Sequence, residues 1–209
     1  MRLAGKDLIN SYKDMRKKII LLLIYSVLVL LAQAQGFKGG LHLGLLATQV
    51  DGDEHSGYKK AGLFAGVFTN YSFHEKKTQL QFELNYAQKG SSANPFHRIV
   101  LHQVEPTVLV EWNFWKKLCL EGGLGFNIVP SAKRFANQVK VTTISGNKFY
   151  IFHLEGIAGL DYRINEHFGA SFRFNYSTPI GTGSRERQRK QLEGYLYNNC
   201  LLFRAYYQF

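Results

Sequence analysis

The sequence predicts an all-β fold, an eight-stranded antiparallel up-and-down transmembrane β-barrel over residues 35–209, preceded by a cleavable signal peptide over residues 1–34. Three observations carry this expectation. Polar and apolar residues alternate with the period of two that belongs to a strand, in segment after segment. The connections between those segments are short and long in turn. The chain closes on LLFRAYYQF, a strand-like run that stops on an aromatic, whereas chain ends are ordinarily polar and frayed. Composition agrees: 20 Gly, 14% aromatic residues and only 4 Pro favour strands over packed helices. A mean hydropathy of −0.18 does not argue against a membrane, because an alternating strand averages to a near-neutral value.

The elements follow in order. Arg16, Lys17 and Lys18 precede an apolar run over 19–31 and the small residues Ala32 and Ala34. These are the three parts of a secretory signal peptide, and the run is short of the ~20 residues a membrane helix needs. Met15 makes the better start, which leaves 1–14 as an upstream mis-start or a long n-region. Strands are expected over 39–48, 61–73, 78–90, 98–114, 118–130, 149–164, 168–177 and 194–209. The third sets Leu80, Phe82, Leu84 and Tyr86 against Gln79, Gln81, Glu83 and Asn85. The sixth sets Phe152, Leu154, Ala158, Leu160 and Tyr162 against His153, Glu155, Asp161 and Arg163. The second is ambiguous, since Phe64 and Phe68 share a parity with Gly62 and Gly66. Pro106 lacks a backbone donor in the middle of the fourth, which predicts a bulge or break there.

Short connections fall at 74–77, 115–117 and 165–167. Long ones fall at 49–60, 91–97, 131–148 and 178–193. In an up-and-down barrel this puts all tight turns at one rim and all loops at the other, as in outer-membrane barrels with short periplasmic turns. An even strand number then places both termini on the periplasmic side.

Which parity faces inward is decided by charge. Glu83, Glu105, Glu155, Arg173 and Arg204 lie deep within their strands. An arginine facing lipid at the bilayer midplane costs about 2–4 kcal/mol, so these residues belong inside. The expected lumen network is Glu83, Glu105, Glu121, Glu155 and Asp161 with Arg163, Arg173 and Arg204. With Glu111 added, acids outnumber arginines, and His42, His102 or His153 is expected to help. The apolar parity carries aromatics near strand ends, among them Tyr71, Phe73, Tyr86, Trp112, Phe114, Tyr162, Phe168, Tyr176, Tyr195, Tyr197, Tyr207 and Phe209. That is where membrane barrels carry interfacial girdles.

GGLHLGL, AGLFAGVFTNYSF, LQFELNYAQKG, VEPTVLVEW, EGGLGF, GIAGLDYRI, FRFNYS and FRAYYQF together resemble the small outer-membrane β-barrel family of Bacteroidota, often called PorT-like. The likeness covers essentially all of 36–209. The third strand's E-L-x-Y-x-x-K-G end and the fourth's x-E-x-P are its most specific pieces. The resemblance implies that Phe209, with Phe203 and Tyr207 spaced by two behind it, is an assembly signal read by the barrel-insertion machinery. It brings no catalytic residues, and its namesake's link to secretion makes a secretion-system or surface-protein partner an expectation only.

Of the formal net charge of +11, +4 lies in residues 1–34, leaving +7 on the mature chain. Much of the excess sits in two predicted loops: Lys133, Arg134, Lys140 and Lys148, then Arg185, Arg187, Arg189 and Lys190. A basic outer rim attracts anionic surface groups such as the phosphates of lipopolysaccharide. Nucleic acid is not an expected partner, because these runs lack interleaved aromatics and lie outside the cell. EGGLGF is not followed by a helix and reads as close packing rather than phosphate binding. The seven histidines have no paired spacing, so neither metal nor cofactor is expected. Cys119 and Cys200 are expected at different heights and unbridged.

The leading functional expectation is a non-enzymatic outer-membrane barrel with a filled lumen and a structural or interaction role. Two alternatives remain. One is a lipid-modifying enzyme, for which Asp51, His55 and Ser56 are the only local Ser/His/acid candidates. The other is a soluble lipocalin-like binder with its apolar face turned inward.

Overall fold

The computed structural model describes residues 37–51, 57–73, 77–94, 97–136, 139–141, 150–182 and 195–209. The signal peptide expected over 1–34 lies outside these residues. Lys38–Phe209 form one compact unit.

The strands are β1 (Phe37–Asp51), β2 (Lys60–Phe73), β3 (Thr78–Asn94), β4 (His97–Trp115), β5 (Leu118–Ala136), β6 (Val139–Val141), β7 (Phe152–Arg163), β8 (Phe168–Thr182) and β9 (Tyr195–Gln208). Hydrogen-bonded neighbours run β4-β3-β2-β1-β9-β8-β7-β5, and a β4–β5 pairing closes the ring. The result is an eight-stranded antiparallel barrel, with short β6 hung on the end of β5. The seam between first and last strands runs unbroken from Gly40↔Gln208 to Asp51↔Tyr197. Phe209 extends it, its N–H donating to the Gly39 carbonyl at 2.9 Å.

Alternation sets the two faces. Along β7, Phe152, Leu154, Ala158, Leu160 and Tyr162 are exposed on the outside, while His153, Glu155, Ile157 and Asp161 are buried within. From Phe152 to Tyr162 this strand covers roughly 33 Å at ~3.3 Å per residue. At a tilt of ~40° that is a band about 25 Å tall, the height of an outer-membrane barrel's apolar belt. The apolar face therefore points outward, the reverse of a lipocalin.

Four details correct or complete the sequence reading. First, β3 and β4 run on as a paired ladder to Asn94↔His97, so the connection expected over 91–97 shrinks to two residues. Ser91, Ser92 and Asn94 look like loop residues, but backbone pairing beyond an apolar belt needs no apolar side chains. Second, Lys133 and Arg134 belong to β5 and Lys140 to β6, where a loop was expected. Third, register shifts on the β4–β5 ladder fall between His102 and Val104 and between Asn113 and Trp115. At Pro106 the pairing with Leu84 of β3 is kept, and the ladder to β5 has no pair at Glu105 or Pro106. Fourth, Phe64 and Phe68 face inward with Gly62 and Gly66. Glycines make the room: a Cβ on Gly40 would lie 2.3 Å from the Phe68 ring.

Candidate functional site

The interior is a column of polar side chains, and its centre is ionic. Arg173 on β8 and Arg204 on β9 are each 1% exposed. Arg173 spans two carboxylates: Nη1 and Nη2 donate to Glu83 at 2.9 and 2.8 Å, while Nε and Nη2 donate to Glu121 at 2.6 and 2.8 Å. This is the bidentate fork that a planar guanidinium favours. Arg204 joins the same pair, Nη1 to Glu83 at 2.7 Å and Nη2 to Glu121 at 3.3 Å. Its Nε donates to the Ser171 hydroxyl at 2.6 Å. Arg204 also donates to His42 Nδ1 at 3.0 Å, so His42 carries its proton on Nε2 and donates it to Asn85 Oδ1 at 2.7 Å. The His42 ring stacks between Phe64 and Phe68, with centroids 5.1 and 5.7 Å away.

A second cluster lies toward the loop end. Lys89 Nζ contacts Glu105 at 2.8 Å and Glu155 at 2.8 and 2.5 Å. Asn127 donates to Glu155 and to His153 Nε2. Lys89 was not singled out from the sequence. It lies on the same parity as Gln79, Gln81, Glu83 and Asn85, and extending that parity by four residues finds it. It supplies the cation that the three arginines leave wanting.

A third group lines the turn end. Arg163 Nη2 donates to Gln79 at 2.9 Å and pairs with Glu111 at 3.2 Å. Tyr206 donates to Asp161 at 2.9 Å. A small cavity there is lined by Asn70, Gln79, Glu111, Arg163, Tyr206 and Gln208, among others.

Above the Lys89 cluster the lumen turns apolar. Val50, Ile99, Leu101, Val129, Ile180 and Leu196 are all buried together and close the loop end. The backbone is pinned at this level by Gly90, whose φ of +131° suits glycine alone. The Thr48 hydroxyl donates to the Gly90 carbonyl at 2.6 Å.

The remaining predicted residues fall as follows. Phe203 and Tyr207 on β9 and Phe209 just beyond it are exposed, and Tyr207 meets Phe209 edge-on at 5.7 Å and packs on Phe168 at 5.0 Å. Lys133 is exposed on β5. Only the backbone is described for Arg134 and Lys140. Lys148, Arg185, Arg187, Arg189 and Lys190 lie outside the described residues, as do His55 and Ser56. Asp51 ends β1 and accepts from Gln49 and Asn199. Cys119 and Cys200 are buried free thiols. Among the described residues no group of three or more His, Cys, Asp or Glu is arranged to hold a metal.

A closed barrel with an apolar belt outside and paired charges within defines a class, the membrane-spanning β-barrels of Gram-negative outer membranes. The family model for the outer membrane protein beta-barrel domain matches residues 32–177, and the chain belongs to that family. Among solved structures it is similar to Ail, the attachment invasion locus protein of Yersinia pestis, at 14% identity and a TM-score of 0.52, over 82% of this chain and 98% of that one. Ail in complex with the heparin analogue sucrose octasulfate gives 14% identity and 0.51, over 84% and 100%. Neisserial surface protein A gives 11% and 0.54, over 84% and 98%. At these identities the likeness speaks for the fold. Comparison with curated proteins by sequence finds no match.

Proposed function

We propose that this chain is a non-enzymatic, non-conducting outer-membrane barrel that works as an interaction protein through its loop end. The observation that carries the reading is the filled lumen. Eight strands leave an interior just wide enough for side chains, and here that interior holds interlocked ion pairs beneath an apolar cap. Nothing large can pass through the described lumen. What remains available to partners is the outer wall and the loop rim.

In this reading the turn end and both termini face the periplasm, as in barrels with short periplasmic turns. Lys133, Arg134 and Lys140 lie on β5 and β6 toward the loop end, and the sequence puts Lys148, Arg185, Arg187, Arg189 and Lys190 in connections expected there. The partners of that end are anionic, lipopolysaccharide first. The finer assignment, a PorT-like barrel of Bacteroidota accessory to secretion or surface assembly, rests on the strand motifs quoted above. The test is a pull-down in mild detergent from cells carrying the tagged chain, alongside lipid A mass spectra of a deletion strain. Recovery of a secretion or surface protein with unchanged lipid A supports the proposal. An altered lipid A acylation pattern would replace it with a lipid-modifying enzyme.

A further inference from the structure

On the outer wall of β3, β4 and β5 the apolar belt ends at one level. Below it stand Leu84, Val104 and Phe126, all exposed and apolar. At the boundary Gln88, His102 and Ser131 lie side by side across the three strands, through Gln88↔His102 and His102↔Ser131. One step further out come Val100↔Lys133, and beyond them Arg98. His102, Val100 and Arg98 alternate along the same outward face of β4. Lys133 sits opposite Val100 and hence diagonal to both His102 and Arg98, at the ~7–8 Å that separates diagonal neighbours. Arg98 and Lys133 are exposed, and Val100 between them is 7% exposed, an apolar floor. The Tyr86 hydroxyl lies 2.7 Å from His102 Nδ1 with the two rings stacked. When that hydroxyl donates, the imidazole holds its proton on Nε2 and is a donor. Among the described residues, no acid stands on this outward face of β3–β5 above Tyr86.

We infer that Arg98, His102 and Lys133 form a binding site for a phosphate of an outer-leaflet lipid of the lipid A class, whose acyl chains lie along the apolar wall below. Three features converge on a lipid rather than a soluble anion. The cationic group lies on the lipid-facing wall and not in the lumen. It begins where the apolar belt stops, at the height of headgroups. Its floor and lower border are apolar. Guanidinium and ammonium groups make charge-assisted hydrogen bonds to phosphate oxygens, and a girdle tyrosine orients the third donor. The inference deepens the proposed function and rests on its placing the loop end outside.

The test uses the full chain purified from outer membranes in detergent. Native mass spectrometry would titrate it with bisphosphorylated lipid A, with dephosphorylated lipid A, with inorganic phosphate and with sucrose octasulfate. The wild type should bind bisphosphorylated lipid A at least about tenfold more tightly than the dephosphorylated form, the loss expected for one charge-assisted contact or more. The double variant Arg98→Ser, Lys133→Ser should lose that preference with its unfolding midpoint unchanged. Lys116→Ser, at the opposite end, should keep it. Equal binding of the two lipids, or an unaffected double variant, overturns the site. So does tighter binding of octasulfate or free phosphate than of lipid A. Orientation is read separately: Lys59→Cys should react with an impermeant maleimide on intact cells. Failure to label overturns the outward loop end, whatever the lipid affinities are.

Discussion

Arg173 is the residue on which the lumen turns. It bridges Glu83 and Glu121, and with Arg204 it balances their two charges. Arg173→Met fills similar volume but leaves two buried carboxylates sharing one cation, and breaking a buried pair this way costs about 3–5 kcal/mol. Urea unfolding in lipid vesicles, followed by tryptophan fluorescence, should show a loss of that order. Arg173→Lys should lose less, because the charge stays and only the fork is gone. Gly90→Ala is the backbone counterpart. The position has φ of +131°, and a Cβ there would lie 2.2 Å from the Ile99 carbonyl oxygen. Stability should fall by about 1–3 kcal/mol in the same assay. The sequence disclosed the charged residues of the centre by their parity alone, since a single fixed period assigns a face. It did not disclose which acid meets which base. That depends on strand order and stagger around the ring, which no local spacing encodes.

Apart from β2, whose inward phenylalanines blur its parity, the strands were legible where they cross the bilayer and blurred where they leave it. Alternation exists because lipid and lumen demand opposite chemistry, so β7, wholly within the belt, reads cleanly. The outer ends of β3, β4 and β5 face water on one side and carry Ser, Asn, Lys and Arg. Their ladders continue beyond the belt, and sequence reading took the ends of β3 and β5 for loops, while β4 was expected from residue 98. This contrast yields a prediction along one strand. Leu124→Arg, mid-belt on β5, should cost about 2–4 kcal/mol in vesicle unfolding, whereas Ser131→Arg on the same strand, beyond the belt, should cost about 0–1. At β9 the expectation concerns assembly. Deleting Phe209 removes one seam hydrogen bond and the proposed recognition element together. Yield in the outer membrane of cells should drop several-fold, while unassisted insertion into short-chain lipid vesicles changes little. Equal losses in both would assign Phe209 to seam stability alone.

At the scale of the whole barrel, ion pairs fill the centre of the described lumen and an apolar cluster fills one end. Planar-bilayer recordings should show no large, steady conductance at any salt concentration. Lys89→Met should still not conduct, because Leu101 and Leu196 block the loop end independently of charge. A stable open level in either protein would contradict the filled interior.

Glu83 waits on β3 for two arginines that arrive 90 and 121 residues later. Until β9 pairs beside β1, Glu83 lies across the open seam from both guanidiniums, and a carboxylate without its counter-ion is better off hydrated. A half-wound sheet that slipped into hydrocarbon early would drag bare ions with it. Curling shut and leaving water must therefore happen as one concerted event, with dehydration deferred until the last strand is home.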